Sequence, residues 1–152
     1  MDKQKHLTLD SRIIIETKLN EGESFKAIGR FLHKDCTTIS KEVKHHISFE
    51  KSGTYGRSFN DCLLAFQRKC SAQMVCHECT SRKNRFCWSC GKCSSSCILY
   101  KKYVCPKLSK PPYVCNGCPE RSKCSLEKHL YRASYAQKAV SYTHLRAHET
   151  GR

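Results

Sequence analysis

The chain has 152 residues, enough for one ordinary domain or two small ones, and 28 Lys/Arg against 13 Asp/Glu leave a net charge of +15. A basic excess of this size points to a polyanionic partner, nucleic acid before membrane, and no segment approaches the roughly 20 apolar residues of a membrane-spanning helix. Thirteen cysteines follow an N-terminus, MDKQKHLTLD, that lacks the apolar run of a secretory signal. A cytoplasmic location is therefore expected, where a reducing environment favours thiolate–zinc sites over disulfides.

Thr8 to Asn20 reads as the first helix, with Thr8 as cap, Leu9, Ile13 and Leu19 as a buried stripe, and Gly22 closing it. A second helix follows Ser24, a good N-cap, with Phe25, Ile28 and Leu32 at helical spacing. Asp35 can cap a third, in which Ile39 and Val43 lie four apart on one buried face. The expected core is Leu9, Ile13, Leu19, Phe25, Ile28, Leu32, Ile39 and Val43. Residues 1–47 thus read as a small all-α trihelical helix-turn-helix domain. The turn carries Gly29, His33, Asp35–Thr38 and Ile39 where many such motifs have a small residue, a glycine, a Ser/Thr-rich start and an aliphatic residue. His33 stands where glycine is usual, so a left-handed turn there would be strained.

That arrangement leaves the outer face of the third helix, about Asp35–His46, to small polar and cationic residues, chemistry that the major groove of DNA accepts. Thr37, Thr38, Ser40 and Lys41 are the candidate base contacts. Arg30, Lys44, His45 and His46 are candidate phosphate contacts, which position without specifying sequence. Cys36, set apart from the other cysteines, is either a small packing residue or a further DNA contact.

Residues 48–61, SFEKSGTYGRSFND, read as a linker ordered in part. From Cys62 the composition changes: Cys62, Cys70, Cys76, Cys79, Cys87, Cys90, Cys93, Cys97, Cys105, Cys115, Cys118 and Cys124 lie among Lys, Arg and Ser with few aliphatics. No conventional hydrophobic core is possible in residues 62–125, which read as a loop-rich, zinc-stabilised module. Zinc takes four thiolate or imidazole ligands, and two cysteines three apart can share an ion from one turn. The spacing occurs at Cys76/Cys79, Cys87/Cys90, Cys90/Cys93 and Cys115/Cys118. Two or three zinc ions are expected, with His77 or His129 able to replace a thiolate. Cys105, Cys115, Cys118 and Cys124 form the most self-contained group, and the pairing of the other eight stays open. Residues 1–50 carry a net charge of +1 and residues 51–139 carry +13. Three zinc ions on twelve thiolates would lower the latter to about +7, still basic. Trp88, Tyr100, Tyr103 and Tyr113 are expected to pack over the metal sites. Residues 126–139, LEKHLYRASYAQKA, read as the start of a helix leading elsewhere.

Two stretches resemble a known family. HLTLDSRIIIETKLNEGESFKAIGRFLHKDCTTISKEVKHHI is similar to the N-terminal domain of bacterial transposases of the insertion sequence thirty family. KPPYVCNGCPERSKCSLEKHLYRASYAQ resembles the cysteine-rich segment that follows it, the run Pro111–Cys118 being the most specific piece. The resemblance implies binding of double-stranded DNA at the terminal inverted repeats of a mobile element, with self-association in the full-length protein. It also implies a later domain that cuts and joins DNA through three carboxylates and divalent metal. Residues 51–139 hold four acidic residues and suggest no such triad, so this chain is expected to bind DNA and not to cut it. The alternative is a stand-alone helix-turn-helix transcriptional regulator with a zinc-bound protein-interaction module. No membrane and no small-molecule substrate is expected. VSYTHLRAHET, Val140–Thr150, resembles the translation of an adapter used to fragment sequencing libraries, so residues 140–152 are expected to be a scar foreign to the fold.

Overall fold

The computed structural model describes residues 6–54, 56–69 and 93–150; for Ser96 and for 143–150 it is the backbone alone that is described. Cys70, Cys76, Cys79, Cys87 and Cys90, together with His77 and Trp88, lie outside the described residues.

The first three helices form where capping and periodicity put them. Helix α1 spans Leu9–Asn20, and the Thr8 hydroxyl accepts the Ser11 N–H at 3.1 Å. Helix α2 spans Phe25–Leu32 behind Ser24, whose hydroxyl accepts the Ala27 N–H at 3.1 Å. Helix α3 spans Cys36–His45 behind Asp35. Gly22 takes φ 81° in the turn after α1. Strand β1, Ile47–Glu50, follows α3 directly, so the first residues of the expected linker are ordered. It pairs with strand β2, Lys128–Tyr131, in a two-stranded sheet. The remaining elements are short: α4 Leu63–Phe66, α5 Cys93–Ser96, and single 3-10 turns at Pro106–Ser109 and Arg121–Lys123. Helix α6 runs from Ala133 to Thr150.

The chain divides into two compact units, and the division does not follow the consecutive modules expected from the sequence. One comprises Met1–Ser48, Lys107–Cys118 and His129–Arg152; the other comprises Phe49–Pro106 and Pro119–Lys128. In the first unit α1 packs against both α2 and α6. Its core is Ile15, Leu19, Ile28, Ile39, Val43, Val114, Tyr131 and Ala136, with Leu7, Phe25, Leu32 and Ile47 at its edge. Six of the eight expected core residues are in it. Leu9 and Ile13 are not: they are 43% and 48% exposed. The buried face of α1 is instead Arg12, Ile15 and Leu19. Arg12 turns inward because its guanidinium is answered there. Its Nε donates to Glu42 Oε1 at 2.7 Å, and Nη1 donates to Leu7 O at 2.7 Å and to Gln137 Oε1 at 2.8 Å.

Segments distant in sequence complete this unit. The amide of Asn116 donates to Asn20 Oδ1 and to the Tyr131 carbonyl, and its Oδ1 accepts the Tyr131 N–H at 2.8 Å. Gly117 lies so close to the end of α1 that a Cβ would sit 2.5 Å from the Leu19 carbonyl oxygen. The Ala133 N–H, at the start of α6, donates to Glu16 Oε1 at 2.7 Å, so a carboxylate of α1 satisfies one of the orphan donors there. The helix expected from 126 begins only at Ala133. Leu126, Lys128 and Leu130 are buried in alternation, the period of a strand, and a lysine in the series hid it.

The second unit has a small cluster of its own. Cys62, Ala65 and Cys93 are buried together, with Leu64, Cys97 and Tyr100 packed against them. Lys128 is buried there too, its Nζ donating to the carbonyls of Ser52 at 3.1 Å and Cys124 at 2.7 Å.

Candidate nucleic-acid interface

The turn between α2 and α3 is built on a close approach. Gly29 is buried within α2, and its carbonyl accepts the Lys34 N–H at 2.8 Å. A Cβ on Gly29 would stand 2.6 Å from the Lys34 carbonyl oxygen, so any side chain there would push the turn into α3 away. His33 closes α2 in the left-handed region at φ 55° and ψ 42°, the conformation for which glycine is the usual choice. Asp35 then starts α3. One carboxylate oxygen accepts both the N–H and the hydroxyl of Thr37 at 2.9 Å, and these hydrogen bonds hold its pKa below the usual carboxylate value.

The face so presented matches the expected one in most positions. Cys36, Thr37, Thr38, Lys41, Lys44 and His45 are exposed and Ser40 is half-buried, while Ile39 and Val43 are buried against the core. Thr37, Ser40 and Lys44 follow one another at three- and four-residue steps and form a single stripe along α3. The Thr37 hydroxyl hydrogen is committed to the cap, which leaves its lone pairs outward. Arg30 is exposed in the last turn of α2. His46 turns the other way: its side chain is 18% exposed, with Nε2 3.6 Å from Glu42 Oε2. Burial lowers its pKa despite the attraction of Glu42, which favours a neutral imidazole at pH 7.

A segment that the sequence did not connect with this face lies beside it. The Tyr113 ring stacks on Phe25, centroids 6.1 Å apart and planes 25° from parallel. The Lys44 ammonium sits 4.3 Å from the centroid of the same ring. Pro111 and Pro112 share with Phe25, Cys36, Thr37 and Ser40 the walls of a cleft of about 560 Å³. Tyr113, expected over a metal site, thus packs on α2 and α3. The long separation in sequence between these positions leaves no periodicity or spacing from which to read the contact.

The described cysteines fall in both units. Cys105 and Cys124 belong to one and Cys115 and Cys118 to the other, all half-buried. Cys62 and Cys93 are 1% and 6% exposed, with Cys97 packed on them. Asn60 bridges the first two, its amide donating to Cys93 Sγ at 3.2 Å and its Oδ1 accepting the Cys62 N–H at 2.9 Å. An N–H donated to a cysteine sulfur is a contact that a neutral thiol and a metal-bound thiolate both accept. Among the described residues no three His, Cys, Asp or Glu side chains gather closely enough to hold an ion. Tyr100 packs against this cluster and donates to Asp61 Oδ1 at 2.7 Å, and its phenol is pushed up to about 12, mainly by desolvation. Tyr103 pairs with Phe66 at 4.9 Å. Among the described residues no helix is long and apolar enough to cross a membrane.

Comparison with known proteins locates the same motif. Residues 3–46 match a family described as a helix-turn-helix domain, so the N-terminal part of the chain is one. A Lactobacillus acidophilus protein described as an uncharacterized 14.4 kDa protein in the laf 3′ region is 48% identical over 42 residues, 28% of this chain and 34% of that protein. The match thus spans about a third of that relative's length. No solved structure matches.

Proposed function

We propose that the chain is the DNA-addressing part of a transposase of the insertion sequence thirty type, reading the terminal inverted repeats of a mobile element. The observation that carries this is the polar and cationic outer face of α3, capped by Asp35 on a helix-turn-helix. Helix-turn-helix domains of this kind are found in transposases. Thr38 and Lys41, exposed on the first two turns of α3, read base edges. Arg30, Lys44 and His45 hold phosphates and fix the register. Two or three zinc ions on the cysteine thiolates hold the second unit, a structural role that lends no cutting chemistry. No catalytic step is assigned to these residues, which address DNA without cleaving it.

The test is selection of duplexes from a random-sequence library by the full chain. One enriched motif is expected, and Lys41→Ala should relax preference at a single position, removing about 1–3 kcal/mol of discrimination there. Recovery of the input library without enrichment would overturn the reading.

A further inference from the structure

The segment Lys110–Tyr113 runs beside the stripe of α3 for most of its length. Pro111 and Pro112 line one cleft with Thr37 and Ser40, and Tyr113 carries Lys44 one turn further on. The segment belongs to the same compact unit as the three helices. It is closed on itself by the Tyr113 N–H donating to the Lys110 carbonyl at 2.9 Å, and it is fastened to α2 by the Phe25 stack. Tyr113 holds a φ of 64°, a conformation costing a non-glycine residue about 1–2 kcal/mol, and its ring meets both Phe25 and Lys44. The stripe is not covered, since Thr37 and Lys44 remain exposed. Any duplex that reaches these side chains must therefore pass along the segment.

Charge says what the segment would meet. Lys26 lines the cleft, Lys110 is exposed where the segment enters it, and Lys41 and Lys44 are exposed on α3. Glu23, also in the cleft wall, is neutralised by Lys18 at 3.4 Å. We infer that Lys110–Tyr113 is a second DNA-contacting element, in which Lys110 meets a backbone phosphate and Tyr113 holds the Lys44 ammonium against the same strand. Phosphates suit this edge better than bases, because the cations are long and flexible and the prolines offer no backbone donor. Tyr113 acts through Lys44 and is a positioning residue. The inference rests on the DNA-binding reading above and extends its surface beyond the three helices.

The experiment measures the salt dependence of binding of the full chain to random-sequence duplex DNA, a probe on which phosphate contacts alone act. Lys110→Ala should reduce the slope of log K against log salt by roughly 0.9, the share of one phosphate. Tyr113→Ala should weaken binding about two- to five-fold, the size of an exposed cation–π contact. Tyr113→Phe, which keeps the ring, should bind as the parent does. In a Lys44→Ala background the Tyr113→Ala effect should vanish. An unchanged slope for Lys110→Ala, tighter binding after either change, or a Tyr113→Ala loss that persists without Lys44 would overturn the inference while leaving the functional reading intact. No binding by the parent chain would instead overturn that reading, and this inference with it.

Discussion

His33 occupies a left-handed position that most side chains avoid, and histidine gains nothing there from a missing Cβ. Replacing it by glycine removes a backbone penalty of about 1–2 kcal/mol and adds roughly 0.5–1 kcal/mol of unfolded-state entropy. His33→Gly is therefore expected to stabilise the protein by about 0.5–1 kcal/mol, read as a raised unfolding midpoint in denaturant. Unchanged or lower stability would mean that the imidazole makes a compensating contact. The turn was readable from the residues because its constraint is local. Gly29, Asp35 and the spacing to Ile39 each act within a few residues, and the caps Thr8, Ser24 and Asp35 all function as their types suggest. His46 folds toward Glu42, and nothing in the order of residues says on which side of a helix end a side chain will fold.

Helix α1 is where local reading failed, and the reason is electrostatic. The run Ile13–Ile15 allows several helical faces, and the one chosen buries Arg12 to 4% exposure. A buried guanidinium is tolerated only with partners, and its partners come from α3, α6 and the chain before α1, none visible from α1 itself. Glu42 is the charged one. It also accepts the Tyr131 hydroxyl at 3.1 Å, and together with burial it raises the pKa of that phenol. The back of α3 is thus fixed to the body by an ion pair, and its front is left exposed. Glu42→Ala would leave Arg12 buried and unpaired, and such a loss costs about 3–5 kcal/mol. Thermal unfolding should register it, and Glu42→Ala combined with Arg12→Met should recover a large part. A loss of less than about 1 kcal/mol in the single variant would indicate that Arg12 escapes to solvent.

For the molecule as a whole, the sequence divides by composition and the structure divides by packing. The cysteines of Pro111–Cys118 place it by composition in the cysteine-rich module, yet Val114 and Asn116 are buried with the helices. Composition could not reveal this, since it records what a segment contains and not what it packs against. The other unit poses a different problem. Its described apolar cluster is a few side chains around Cys62, Ala65 and Cys93. Ordering each residue costs about 1–2 kcal/mol of backbone entropy, while burial returns about 25 cal/mol per Å². A structural zinc site contributes on the order of 10 kcal/mol, the proposed source of order in this unit. Protein purified without added metal is accordingly expected to carry two or three zinc ions per chain by elemental analysis. Removing them with a chelator should abolish hydrogen-exchange protection at the amides of Leu63 and Tyr103, which donate to Lys101 and Asp61 across the unit. The amides of Ile28 and Ile39, inside a core built from aliphatic side chains, should keep theirs. Metal-free protein with Leu63 and Tyr103 still protected would mean that packing alone holds this unit, and the zinc assignment would fall.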